Sequence, residues 1–450
     1  GLVFIGPTPE QLALFGDKAQ ALALARRCGV PIQPSTDGAI TLEQAHAFFQ
    51  AQQGAGIMLK ALGGGGGRGM RAVSDVAQLD EAFARCTAEA LAFGVAGVYA
   101  ERLMPQARHI EVQILGDATD VMALGERECT LQRRFQKLVE IAPSPTLSST
   151  LRAQLSTAAL AMARSVNYRS LCTFEFLVNE ASSDWPFVFI EANPRLQVEH
   201  TVTEEVTGLD LVQLQIAVAA GARLGELGLD PVHPPAPRGH AIQWRVNAET
   251  LDAQGQARPS SGMLQRFDLP TGPGIRIDSH GQAGLTPSPH YDSLLAKLVV
   301  RSRSANFADA VRMSRRALAE MRIEGLATNL SLLRALAART DFEIQTLHTR
   351  YIEAELPALL REAEHHADAP SLQPNTPETQ ALETLPEGLI ALRAPMAARL
   401  VQIDVGADTV VAAGAQLAVL ETMKMEHLLH ALIDDPDAAA VFAEKGRTMA

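Results

Sequence analysis

The most informative alternation of apolar and polar positions runs from Phe174 to Glu199, FEFLVNEASSDWPFVFIEANPRLQVE. Two apolar runs, Phe174–Val178 and Phe187–Ile190, flank a polar stretch, which is the pattern of a β-hairpin. Glu175 interrupts the first run and Glu191 closes the second; pairing them centres the turn near Ser183. Two carboxylates on adjacent strands repel unless a cation lies between them. Asn193, two residues on, falls on the same face and adds a neutral oxygen. Hard oxygens of this kind suit a Mg²⁺ (or Mn²⁺) ion that also grips a nucleotide phosphate. Glu175, Glu191 and Asn193 are therefore the candidate metal ligands. Arg195, Gln197 and Glu199 continue at period two and extend the polar face as the floor of a site.

The same patterning organises the rest of the chain. GLVFIG reads as a strand, and Gln11 to Cys28 as one helix that stops at Gly29. Lys18 lies in that helix and, taken alone, reads as a solvated lysine. Residues 56–62 form an apolar strand carrying Lys60, followed by GGGGGRGM at 63–70. Glycines such as Gly65, Gly66 and Gly67 let backbone N–H groups approach a phosphate closely. This is not a P-loop, because no Gly-Lys-Ser/Thr follows and the lysine precedes the loop. Residues 98–104 form a strand with Glu101. The stretch 128–145, ECTLQRRFQKLVEIAPSP, reads as a polar and then Pro-rich loop lining a cleft. Arg245 sits in mid-strand in HAIQWRVNAE, where an unpaired buried charge is costly, so it needs a partner or a ligand. Residues 353–388 lose periodicity and become a Pro/Ala/Thr-rich linker, with His365 and His366 solvated. From Leu389 short strands alternate with Gly turns, and Lys424 stands between two methionines at a hairpin tip.

Composition narrows the class. A chain of 450 residues suggests about three domains. With 47% hydrophobic residues it can bury a large core, and a net charge of −12 argues against a nucleic-acid partner. The basic cluster Arg133, Arg134 and Lys137 is local and suits a small anion. Cys28, Cys86, Cys129 and Cys172 show no metal or disulfide spacing, which fits free thiols in a reducing, cytoplasmic setting. No apolar run approaches the roughly 18 residues of a membrane span, and no signal peptide is evident. The first residue is Gly1 rather than Met, so a fragment at the N-terminus is expected.

Taken together, FIGP (4–7), GDK (16–18), LKALGGGGGRGM (59–70), RHIEVQ (108–113), ERECTLQRRFQK (126–137), TFEF (173–176), FIEANPRLQVEH (189–200), RVNAE (245–249), YDSLLAKL (291–298) and ETMKMEH (421–427) resemble the biotin carboxylase family. That family has the α/β ATP-grasp fold, here with a biotinyl carrier segment behind it. The resemblance implies the first half-reaction of a biotin-dependent carboxylase, by default one acting on an acyl-CoA. ATP phosphorylates bicarbonate, and the carboxyphosphate formed delivers CO₂ to N1 of biotin. It implies that Lys60, the glycine loop and Lys18 hold the ATP phosphates. Glu101 and Leu103 would meet the adenine, and His109 and Gln132 would line the nucleotide pocket. Arg195, Gln197 and Lys137 would bind bicarbonate, and Glu199 would be the general base. Arg245 would stabilise the enolate of biotin, and Lys424 would carry biotin as an amide. The implied partners are a carboxyltransferase, a biotin protein ligase and a second copy of the chain.

The resemblance also sets domain expectations. Residues 1–30 would be the remnant of a Rossmann-like N-terminal domain, and 31–103 the small lid subdomain. The large subdomain with the C-terminal carboxylase subdomain would span 104–352, the linker 353–388, a partial all-β carrier 389–430 and a tail 431–450. The second half of the carrier barrel is absent from this sequence, so poor order over 389–450 is expected. Two substitutions depart from the family pattern: Phe135 replaces the usual histidine of QRRHQK, and Thr422 the usual alanine before MKM. Two alternatives stand beside this reading. One is an inactive nucleotide-binding remnant; the other is a different ATP-grasp ligase of the carbamoyl-phosphate synthase type.

Overall fold

The structure, a computed structural model, describes residues 2–366 except 37, 63–68, 93–96, 105, 134–135, 181–184, 253–254 and 289–290. Beyond these it describes 394, 398–406, 409–412, 414–422 and 425–431.

Two short helices open the chain, α1 (Pro9–Gly16) and α2 (Lys18–Arg27), rather than the single helix expected. The break has a local cause: the Asp17 carboxylate accepts from the Ala19 and Gln20 amides and starts a new helix at Lys18. The strand expected for GLVFIG is also absent. Residues 2–5 are exposed and pair with no strand among the described residues.

The small subdomain holds α3 (Leu42–Ala51), β1 (Ile57–Ala61), β2 (Met70–Val73), α4 (Leu79–Ala92) and β3 (Val98–Arg102). Its sheet is antiparallel in the order β2-β1-β3 and packs on α3 and α4 through Ala45, Ile57, Leu59, Leu79 and Cys86. Residues 31–36 tie it to the large sheet: the Phe189 amide donates to Pro31, and the Arg102 amide to Pro34.

The large sheet contains β4 (Arg108–Asp117), β5 (Val121–Arg133), β6 (Gln136–Ala142), β7 (Arg169–Val178), β8 (Phe187–Asn193) and β9 (His240–Asn247). Two further strands, Ile275–Ser279 and Leu294–Ser302, extend it to eight in the order 275–279, 294–302, β9, β6, β5, β4, β7, β8. Alternation assigns its faces. Ile110, Val112 and Ile114 of β4, with Phe174, Phe176 and Val178 of β7, pack on α1, α2 and α5 (Ser149–Arg164). The intervening His109, Glu111, Gln113, Thr173 and Glu175 therefore share the opposite face. The later helices Phe307–Glu320, Leu330–Ala338 and Tyr351–His365 cover the other half through Trp244, Leu298, Leu333 and Phe342.

The central hairpin has the expected pair, Glu175 opposite Glu191, but simple alternation would not have aimed both at one face. Phe176 pairs with Phe189 while Glu175 pairs with Glu191, so Ile190 is an extra residue. This β-bulge turns Glu191 and Asn193 to the polar face and leaves Ala192 in the core with Phe187 and Phe189.

Two expectations need correction. The stretch 128–145 is not a loop: most of it belongs to β5 and β6, in the middle of the sheet. Its polar residues are buried rather than solvated, with Glu128, Thr130, Gln132 and Arg133 all nearly inaccessible. The loss of order from 353 is also placed too early, because Tyr351–His365 is helical and buries Tyr351, Ile352, Leu356 and Leu359. At the C-terminal end, strands Arg399–Ile403, Gln416–Thr422 and Met425–His430 form an antiparallel sheet. Lys424 lies outside the described residues, between the paired Thr422 and Met425.

Candidate active site

The polar face of the large sheet carries a row of charges laid strand by strand. Glu191 on β8 pairs with Glu175 on β7, Glu175 with Glu111 on β4, and Glu111 with Arg127 on β5. Three adjacent carboxylates cannot remain ionised without cations. Lys137, from β6, supplies one. Its Nζ lies 2.6 Å from Glu111 Oε2, 2.6 Å from Glu199 Oε1 and 3.2 Å from Glu175 Oε1. Arg127 is fully buried; its Nε donates to Glu111 Oε1 at 2.5 Å, and its remaining nitrogens donate to Gln113, Thr203 and Thr173.

These contacts set the charge states. Burial pulls the Lys137 ammonium down, but Glu111, Glu175 and Glu199 outweigh it and hold its pKa well above the usual value. Burial pushes the Glu175 and Glu199 carboxyls up. Lys137 and His109 beside Glu175, and Lys137, Arg245 and Arg127 beside Glu199, reverse this and hold both well below the usual carboxylate range. Both are thus ionised at neutral pH.

Glu199 stands at the start of α6 (His200–Thr207) and accepts from Arg245 Nη2 on β9 at 3.0 Å. Arg245 thus has the partner that its mid-strand position demands, and it has a second in Glu140, whose Oε1 accepts from Nε at 2.6 Å. Glu175 Oε1 also accepts from Asn193 Nδ2 at 2.8 Å and Gln197 Nε2 at 3.3 Å, and Glu175 Oε2 lies 2.8 Å from His109 Nε2. Gln132 contacts His109 Nδ1. The structure therefore brings His109, Gln132, Lys137, Glu175, Asn193, Gln197, Glu199 and Arg245 into one cluster.

Other sequence candidates stand around it. Lys18, at the first position of α2, reaches Glu191 Oε2 at 3.0 Å. Burial lowers its pKa, but Glu191 and the carboxylates behind it raise it further, so the net shift is upward. In the small subdomain Lys60 Nζ meets Glu101 Oε2 at 2.5 Å, and Leu103 is buried next to them on the chain. Arg195 is exposed; its guanidinium donates to the Leu196 carbonyl, and its backbone amide donates to the Asn193 carbonyl at 2.8 Å, but among the described residues its side chain makes no contact with the cluster. Gly65, Gly66, Gly67, Phe135 and Lys424 lie outside the described residues.

The donor set fits a hard divalent cation. Glu175 and Glu191 are ionised or cation-paired oxygens on one face, with the Asn193 amide beside them. Lys18 pairs with Glu191 Oε2 here, and Lys137 with Glu175 Oε1. Gln197 Oε1 is buried and has no hydrogen-bond partner among the described residues, so it offers an acceptor to a small ligand carrying a hydroxyl.

Sequence reasoning missed Glu111, Arg127 and Glu140. The signal was present in RHIEVQ, where His109, Glu111 and Gln113 alternate with Ile110, Val112 and Ile114.

A lysine-bearing small sheet, a large antiparallel sheet and a cluster of carboxylates and amides flanked by Lys18 and Lys137 fit the ATP-grasp class of enzymes. Residues 17–227 match the family model of the carbamoyl-phosphate synthase L chain ATP-binding domain, and 243–354 that of the biotin carboxylase C-terminal domain. The biotin carboxylase of Nostoc sp. is 42% identical over 354 residues, covering 78% of this chain and 77% of the relative. The chain belongs to the biotin carboxylase family. Pyruvate carboxylase of Aspergillus niger is 44% identical over 356 residues, and the chain covers only 29% of that longer relative's length. The biotin carboxylase domain of the Hydrogenobacter thermophilus 2-oxoglutarate carboxylase, solved as a dimer with MgADP, ADP and bicarbonate, is 37% identical with a TM-score of 0.73. That match covers 82% of this chain and 78% of the solved one. A single-chain, multi-domain long-chain acyl-CoA carboxylase is 40% identical with a TM-score of 0.68, covering 97% of this chain and 39% of that one. No helix among the described residues is long and apolar enough to cross a membrane.

Proposed function

We propose that this chain carboxylates biotin with ATP and bicarbonate, the first half-reaction of a larger biotin-dependent carboxylase. The carrying observation is the meeting of Lys137 and Arg245 on the two oxygens of Glu199, with Lys137 also reaching Glu175 Oε1. In this reading Lys60 and Lys18 hold the phosphates of ATP, together with backbone amides of Gly65, Gly66 and Gly67, which lie outside the described residues. Glu101 and Leu103 flank the adenine, and His109 and Gln132 line the nucleotide pocket. Glu175, Glu191 and Asn193 would hold Mg²⁺, which would neutralise negative charge on the ATP phosphates. Bicarbonate binds between Lys137 and the amide of Gln197, with Arg195 swinging in from the rim. Glu199 accepts the bicarbonate proton, and the oxygen so freed attacks the γ-phosphorus, breaking its bond to the bridging oxygen and releasing ADP as carboxyphosphate forms. Carboxyphosphate breaks down to CO₂ and phosphate; the phosphate takes the N1 proton of biotin, Arg245 offsets the negative charge developing on the ureido oxygen, and N1 then bonds the carbon of CO₂.

The carrier is Lys424, biotinylated by a biotin protein ligase, and the carboxyl group passes on to a carboxyltransferase. We favour an acyl-CoA acceptor, because the match to the long-chain acyl-CoA carboxylase extends over 97% of this chain. A homodimer is the proposed assembly. The test is ADP release from MgATP with bicarbonate and free biotin. Dependence on both, with loss in Lys60→Ala and Glu199→Ala, supports the reading. Unchanged rates in both variants overturn it, and MgATP binding without turnover marks an inactive remnant.

A further inference from the structure

Arg245 is held more tightly than a ligand-binding arginine requires, and the group holding it is a residue with no role in the reading above. Glu140, on β6, is fully buried at the centre of the sheet. Its Oε1 accepts from Arg245 Nε at 2.6 Å and also contacts Nη2. Its Oε2 accepts from Gln243 Nε2 at 2.9 Å, and the side-chain Oε1 of Gln243 in turn accepts from the Thr201 hydroxyl. Thr201 lies in α6, the helix that Glu199 begins. The contacts therefore close a ring: Glu199, Arg245, Glu140, Gln243, Thr201 and back to Glu199 through the helix.

The ring leaves one donor group unused. Glu140 and Glu199 occupy Nε and Nη2, while Nη1 has no partner among the described residues and is not sealed from solvent. A guanidinium pinned along one edge can turn only the other toward a ligand. Without Glu140, the free attraction to Glu199 would draw the guanidinium onto that carboxylate alone, and would occupy the proposed base. Glu140 also shares the arginine's charge, so Glu199 does not face it uncompensated. The other charged or titratable groups around Glu199 are Lys137, Arg127, Glu111 and Cys129, none of which contacts Nε of Arg245.

We infer that Glu140 is a positioning residue for biotin carboxylation: it acts through Arg245, holding the guanidinium so that Nη1 faces an anionic oxygen of the substrate. This inference rests on the proposed function for its kinetic test, and on geometry alone for its structural one. The Glu140→Gln variant keeps the shape and removes the charge. Its biotin-dependent kcat is expected to fall roughly tenfold or more, the scale typical of groups that orient a site residue. KM for ATP is expected to stay within about twofold. In an Arg245→Ala background the same change should have little further effect, since the residue through which it acts is gone. In a crystal structure of Glu140→Gln, the Arg245 guanidinium should move onto Glu199. A kcat within twofold of wild type, an undiminished penalty in the Arg245→Ala background, or a rise in KM for ATP matching the fall in kcat would each overturn the inference. So would an unmoved guanidinium in the crystal, which is informative even if wild type fails to turn over. Wild type lacking biotin-dependent turnover would count against the proposed function instead.

Discussion

Replacing Lys137 with methionine preserves most of the side-chain length and removes one charge. The ammonium contacts Glu111, Glu175 and Glu199, which are 0%, 4% and 2% exposed. Oxygens of Glu111 lie within 4.8 Å of those of both Glu175 and Glu199. At an effective dielectric constant of about 20, each such pair of charges repels by about 3.5 kcal/mol. Arg127, Arg245 and His109 remain and offset part of this. The net loss should therefore match that of other buried ion pairs broken on one side, about 3–5 kcal/mol. The pH dependence follows from sign. In wild type the folded pKa values of Glu175 and Glu199 lie below the unfolded values, so their stabilisation is present above about pH 4.3 and lost as pH falls further. In Lys137→Met, burial and mutual repulsion raise the folded values instead, so acidification restores stability as the carboxylates take up protons. Urea unfolding without Mg²⁺ should show the full deficit at about pH 8 and a smaller one at about pH 5. A deficit below about 1 kcal/mol at the higher pH, or one that is equal at both, would refute the reasoning.

Other changes test separate parts of the account. Lys18→Ala frees Glu191, and if Lys18 holds an ATP phosphate as proposed, MgATP binding by calorimetry should weaken about tenfold; unchanged affinity would remove Lys18 from the site. A Cβ at Gly239, where φ is +76°, would lie 1.9 Å from the Ser302 carbonyl oxygen, so Gly239→Ala should cost at least about 2 kcal/mol in thermal unfolding. Co-expression with a biotin protein ligase should label wild type on a streptavidin blot and leave Lys424→Ala blank; label retained in the variant would place biotin elsewhere.

Much of the site was legible because strands place chemistry at period two. Glu175, Glu191 and Asn193 follow from the hairpin pattern, and Arg245 from the cost of a lone charge in mid-strand. The bulge at Ile190 was not legible from strict alternation, although the shift from Phe187 and Phe189 to Ala192 on the core face records it. The segment 128–145 misled because polar sequence was equated with solvent. Its charges are neutralised by partners on strands distant in sequence, as Glu128 is by Arg108 and Lys137 by Glu111. The helix Tyr351–His365 was hidden by the polar, Pro-rich sequence after it and by Pro357 within it. Its apolar stripe of Ile352, Leu356 and Leu359 has the helical spacing that marks it. The break at Asp17 is a capping effect, too local for periodicity to register.

The most direct measurement follows the carbon. Radiolabelled bicarbonate is supplied with MgATP and free biotin, and carboxybiotin is trapped under alkaline conditions. The account predicts label on biotin that requires ATP and Mg²⁺ and disappears in Glu199→Ala and Lys137→Met. ATP hydrolysis without label on biotin, or label that survives both substitutions, would contradict it.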